Sequence, residues 1–115
     1  MKDYAEMSDF EINKLVAIAN GYPHDDCDIA KLNNSMVGVE WDDDTGYATK
    51  TLDYCNNPAD AWPIITENRI STIYLDENEW GCRGDGDKSA CRAINSNALR
   101  CAMIAFLMMK EKEND

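Results

Sequence analysis

Tyr54-Cys-Asn-Asn-Pro-Ala-Asp-Ala-Trp-Pro-Ile-Ile-Thr-Glu-Asn68 holds more local structural signals than any other part of the chain. Asn57 is a good N-cap, because its side-chain oxygen can accept a bond from a free amide in the first helical turn. Pro58 then falls at the first helical position, where a missing N–H costs nothing. Asp60 places a negative charge near the positive end of the helix. Ala61, Ile64 and Ile65 recur at helical spacing, with Trp62 beside them, and the expectation is that the tryptophan and both isoleucines turn inward. Pro63 is early enough in the helix to cost little. Asn68 is the expected terminator. Asn56 caps nothing, which leaves it as a turn residue or as a side chain facing a ligand.

On the N-terminal side, Ser8 and Glu11 form a capping box. Ile12, Leu15, Val16 and Ala19 repeat at helical spacing up to Asn20-Gly21, and Pro23 prevents the helix from resuming. His24 to Asn34 is polar and acidic and reads as a loop. Met36 to Trp41 reads as a strand with Val37, Val39 and Trp41 on one face. Asp42-Asp43-Asp44-Thr45-Gly46 is a turn, and Tyr47 to Tyr54 is its partner strand in an antiparallel hairpin.

On the C-terminal side, Ile70 to Leu75 is β-branched and aromatic enough for a strand. Asp76 to Glu79 is a turn, Trp80 begins another strand, and Gly81 to Lys88 is a glycine-rich loop or hairpin tip. Ser89 to Ile94 reads as a last strand. Asn97, with Ser96 in competition, caps a helix whose main face is Leu99, Ala102, Met103, Phe106 and Leu107. Ile104 and Met108 widen that face until most of the circumference is apolar, the mark of a helix packed on more than one side. Helices separated by short antiparallel strands imply an α+β fold. The expectation is a single-domain αβα sandwich over residues 1–115, about three helices around a small, mostly antiparallel sheet.

With 22 acidic against 11 basic residues in 115, the formal net charge is −11. That balance argues against direct nucleic-acid binding, which needs concentrated Lys and Arg. The longest apolar run, Cys101 to Met109, is too short to span a bilayer. Five cysteines occur with no CxxC spacing, and the chain opens without a secretory pattern, so reduced thiols in a cytoplasm are expected.

Three blocks carry a family resemblance: Met7-Ser-Asp-Phe-Glu-Ile-Asn-Lys-Leu-Val-Ala17, Cys55-Asn-Asn-Pro-Ala-Asp-Ala-Trp-Pro-Ile-Ile65, and Asn97-Ala-Leu-Arg-Cys-Ala-Met-Ile-Ala-Phe-Leu-Met-Met109. They resemble the NinX family, small proteins of lambdoid phages and prophages. The family tends to have Asn-Pro before the last helix; here it is Asn97-Ala98. A more distant likeness is to a phage αβα-sandwich domain, carried by Tyr54, Ala61-Trp62 and Arg100. These resemblances imply a phage or prophage accessory protein in the host cytoplasm, and a sandwich fold. They imply no established activity.

The candidate chemistry is sparse. His24-Asp25-Asp26-Cys27-Asp28 contains metal-ligand residue types, but neighbours in sequence rarely converge on one ion without a second segment. The Asp42–Gly46 turn fails the register of a calcium loop, and Thr51 stands where the bidentate acid belongs. Gly81 to Ser89 resembles a phosphate loop with a residue too many before Lys88. No metal or other cofactor is expected. Arg100, in the first turn of the most apolar helix, must reach solvent or meet a carboxylate such as Asp60 or Glu67. The alternative is an anion-binding role in a pocket rimmed by Asn56, Asn57, Trp62 and Trp80. Binding of a host or phage protein is therefore the leading expectation. A module for a small polar, nucleotide-like ligand, and a metal-dependent enzyme on nucleotides or phosphoesters, are the alternatives.

Overall fold

The computed structural model describes residues 3–30 and 33–114. It contains three helices and two small antiparallel three-stranded sheets, an α+β architecture. The chain divides into two compact units, residues 1–53 and 54–115.

In the first unit, α1 (Asp9–Ala19) packs on a sheet of order β1 (Asp28–Ala30), β2 (Asn33–Trp41) and β3 (Ala48–Leu52). The capping box is present: the Ser8 side chain accepts from the Glu11 amide, and the Glu11 carboxylate accepts from the Ser8 amide. At the other end Gly21, at φ 113°, lets the Tyr22 amide reach back to the Ala17 carbonyl and its own amide to that of Ile18. This is a Schellman closure. Ile12, Val16 and Ala17 meet the buried side of β2, Val37 and Val39, in a core with no exposed side chain. One polar group enters it: Asn13 is wholly buried, and its Nδ2 donates to the Ser35 carbonyl at 2.8 Å and to Asp53 Oδ1 at 2.9 Å. A buried amide would cost about 1–3 kcal/mol without such partners.

Two sequence expectations fail in this unit. The loop expected from His24 to Asn34, which lies partly outside the described residues, contains a 3-10 turn at His24–Asp26 and the short strand β1. Three residues, Asp28-Ile-Ala30, carry too little periodicity to be read as a strand. Trp41 also leaves the face of Val37 and Val39. The β2–β3 pairing shifts register between Gly38 and Glu40 and again before Trp41, and each shift re-aims the side chains beyond it. The indole therefore lies over Gly38 on the opposite face, where its Nε1 donates to the Asp26 carbonyl at 2.7 Å.

In the second unit, α2 (Pro58–Glu67) packs on α3 (Ala98–Glu113), and α3 packs on a sheet of order β4 (Ser71–Tyr74), β5 (Trp80–Arg83) and β6 (Arg92–Asn95). Every residue of α3 from Arg100 to Leu107 is buried, as is Met109, because the helix is covered by α2 on one side and by the strands on another. Phe106 and Met103 are its largest buried side chains. The Cys101 thiol, wholly buried, donates to the carbonyls of Trp80 and Ala93 at 3.2 and 3.3 Å and so ties the helix to β5 and β6. The neighbouring Cys82 thiol is pushed well above its ordinary range by its hydrogen bond with Cys101 and then by burial, so it stays neutral. All five cysteines are free thiols and buried.

The α2 stretch forms much as its residues dictate. Asn57 Oδ1 accepts from the Ala59 amide at 3.0 Å, Pro58 opens the helix, and Ala61, Ile64 and Ile65 are buried. Trp62 is the exception: it is 60% exposed. At roughly 100° per residue it lies well off the arc centred between Ile64, Ala61 and Ile65, so it turns outward. The helix ends in the same closure as α1, with the Ile70 amide bonded to the Ile65 carbonyl and the Arg69 amide to that of Thr66. Here the left-handed position is held by Arg69, at φ 52°.

Candidate functional site

The five residues singled out in the sequence all lie in the second unit, and part of the group converges. Asn97 caps α3, accepting from the Leu99 and Arg100 amides at 2.9 and 3.1 Å. Its Nδ2 donates to the Cys55 carbonyl at 2.7 Å and to Asn56 Oδ1 at 3.2 Å. The mouths of α2 and α3 are thus buckled together by one amide. This gives Asn56 a structural part that its sequence did not disclose. Asn57 is spent on its own cap, Arg100 is only 9% exposed, and Trp80 is half-buried with its ring edge-on to Tyr74 at 5.3 Å. Trp62 stands in solvent on α2.

A different group of residues forms a surface depression of about 350 Å³ on the face of the β4-β5-β6 sheet that turns away from α3. Its geometry follows from register. Ile73, Gly81 and Ile94 pair across the three strands, so their side-chain positions share that face. Ser71, Arg83 and Arg92 pair in the next row on the same side. Leu75 continues the β4 face and covers Gly81, where a Cβ would stand 3.2 Å from its Cδ1. The opposite side positions, Cys82 and Ala93 among them, serve α3. Ile73, Leu75 and Ile94 are 57%, 47% and 61% exposed. None of the five sequence candidates lines this depression.

The family can now be placed beside this geometry. The model of the family described as Bacteriophage P22, NinX matches residues 3–110. The chain belongs to the NinX family. That match takes in α1, both sheets, α2 and nearly all of α3, so the family unit includes the exposed sheet face as well as the buckled helix mouths. No curated protein and no solved structure matches the chain.

The electrostatics of the face are unusual for so acidic a chain. Arg83 and Arg92 are directly opposite each other on paired strands, an arrangement that is destabilising for like charges. Arg92 Nε donates to the Ser89 carbonyl at 3.2 Å, and among the described residues neither guanidinium forms an ion pair. Nearby charges are paired elsewhere: Arg69 with Asp85 at 3.8 Å, and Lys88 and Lys110 with Glu113. Among the described residues no three His, Cys, Asp or Glu side chains gather as they would around a metal ion, and no helix is long and apolar enough to cross a membrane.

Two signals for this face stand in the sequence. Ile73 and Leu75 alternate with polar or aromatic neighbours, and Arg83 lies within the glycine-rich segment and Arg92 shortly after it. Only the strand register shows that these belong to one surface.

Proposed function

We propose that this NinX-family protein acts by binding another protein, host or phage, through the outer face of the β4-β5-β6 sheet. The observation that carries this reading is the row of exposed aliphatic side chains, Ile73, Leu75 and Ile94, on a sheet whose other face packs on α3 mainly through β5 and β6. A sheet normally buries one face and dresses the other in polar residues. Clustered aliphatic exposure on the second face marks a contact surface. The depression is shallow, open and bordered by long side chains, which suits a protein surface better than an enclosed small-molecule pocket.

Site-specific photo-crosslinking in infected cells tests it. A photo-reactive amino acid replacing Ile73 is expected to give a discrete covalent adduct. The same residue replacing Tyr47, which is 52% exposed in the first unit, is expected to give none. Identical adducts from both positions, or none from position 73, would overturn the reading.

A further inference from the structure

The same face carries a more specific inference, which rests on its being a protein-contact surface. We infer that its occupant is a short extended partner segment in which an aliphatic residue and an Asp or Glu stand two positions apart, the aliphatic group seated on Ile73, Leu75 and Ile94 and the carboxylate on Arg83 and Arg92.

The charge argument comes first. The chain has 22 acidic residues with which to neutralise 11 basic ones, yet Arg83 and Arg92 pair across adjacent strands with no ion pair to a carboxylate among the described residues. Their mutual repulsion is relieved by an anion placed between them, and guanidinium forks hold carboxylates with good geometry. Along a strand, the arginine row lies about 6.6 Å from the isoleucine row, the spacing of residues two apart in an extended segment. An extended segment lying on this face meets both rows with side chains of its own that share one side.

Area and chemistry then select among occupants. Three strands of four residues present a face roughly 15 Å on a side, on the order of 200 Å², against about 800 Å² per partner in a stable interface between folded proteins. That footprint is small for a second copy of this chain and matches a segment of a few residues. Nucleic acid fits poorly. The row beside the arginines is aliphatic, so it offers bases no stacking surface, and the net charge of −11 repels phosphodiesters at range.

The probe is a capped hexapeptide of sequence Leu-Ser-Asp-Ser-Leu-Ser, whose leucines and aspartate share one side when extended, titrated into the full chain and followed by amide and guanidinium NMR shifts. The expected result is shifts confined to β4, β5 and β6. Affinity should fall roughly tenfold or more in Arg83→Gln/Arg92→Gln, and should also fall as salt rises from about 50 mM to about 500 mM. Equal binding of the peptide with lysine in place of its aspartate would overturn the inference. So would the same shifts from a single-stranded oligonucleotide, or concentration-dependent dimerisation lost on Ile94→Asp. Both arginines are exposed, and an unfolding temperature of the double variant no lower than that of the unaltered protein would show that the fold is intact. The crosslinking assay separates the two readings. An adduct at position 73 that survives Arg83→Gln/Arg92→Gln leaves the contact surface standing and removes the acidic segment. Absence of any adduct in the unaltered protein removes both.

Discussion

Each of the two sheets has a glycine on the outer side of its middle strand, and each fills the space above it with a large side chain of its own. In the first, the Trp41 indole lies over Gly38 so closely that a Cβ would stand 2.6 Å from Cζ2 and 2.9 Å from the Ala48 Cβ. The indole is anchored through Nε1 to the Asp26 carbonyl. In the second, Leu75 only touches the corresponding space over Gly81, and Ile73 and Ile94 remain largely in solvent. One sheet has finished covering its outer face from within. The other has left the job incomplete and set Arg83 and Arg92, neither in an ion pair among the described residues, beside the gap. The lesson is that an exposed aliphatic row gains meaning from a companion sheet in the same chain, where the same problem is closed.

The contrast is broken most sharply at the glycines. Gly38→Val should cost about 3 kcal/mol or more, because the indole and Ala48 cannot both retreat from a rigid β-branched group. Gly81→Ala should cost less than about 1 kcal/mol, because a mobile leucine tip at the edge of an open depression can swing away. Chemical denaturation of the two variants checks the order, and equal losses would show that the Leu75 cover is as rigid as the Trp41 cover.

The helix ends give a second, smaller test. Both α1 and α2 close with the same pair of backward bonds, but one uses Gly21 and the other Arg69 in the left-handed region. Arg69→Gly removes the Cβ conflict and should stabilise by about 0.5–1 kcal/mol, net of glycine's larger unfolded-state entropy. Gly21→Ala should destabilise by about 1 kcal/mol or more, since φ 113° suits glycine alone. Thermal unfolding midpoints moving in opposite directions confirm the assignment.

The smallest effect concerns charge. In the first unit Lys50 approaches Glu40 only to 4.0 Å across the hairpin. In the second, Lys88 makes a close contact with Glu113, joining the loop before β6 to the last turn of α3. That hydrogen bond, followed by the one from Lys110, holds the Glu113 carboxyl below its ordinary value near 4.5. The bond to Glu113 likewise holds Lys88 above its ordinary value near 10.5. A depressed carboxyl contributes above its unfolded value and loses that contribution as pH falls through the folded one. A raised amine contributes below its unfolded value and loses it as pH rises through the folded one. Amide exchange over Gly86–Ser89 should therefore show its greatest protection relative to Glu113→Gln between about pH 5 and 10, with the difference vanishing at acid pH. A difference that persists at low pH would show that the loop is held by other contacts.

What the sequence disclosed follows a physical divide. The helices were legible because their caps are local: Ser8 with Glu11, Asn57 with Pro58, and Asn97 at the start of the apolar run. The family followed from the same blocks, and the α+β class from the order of helices and short strands. β1 was not legible, because three residues carry no usable period. Trp41 was misplaced because a register shift has no signature in the strand that contains it. Trp62 was misplaced because an aromatic residue beside an apolar arc was counted as part of it. The exposed face was hidden for a further reason: whether an apolar strand residue is covered depends on which elements pack against it, and that is a non-local fact.

The buried thiols have a use that their packing does not advertise. Cys27 belongs to the first unit, while Cys55, Cys82, Cys91 and Cys101 belong to the second. Burial also pushes the Cys27 thiol up, so it reacts slowly while its surroundings stay closed. The chain therefore carries an internal clock for each half. Timed alkylation followed by mass spectrometry reads, in a single sample, whether the half with the finished sheet and the half with the open one breathe together or apart.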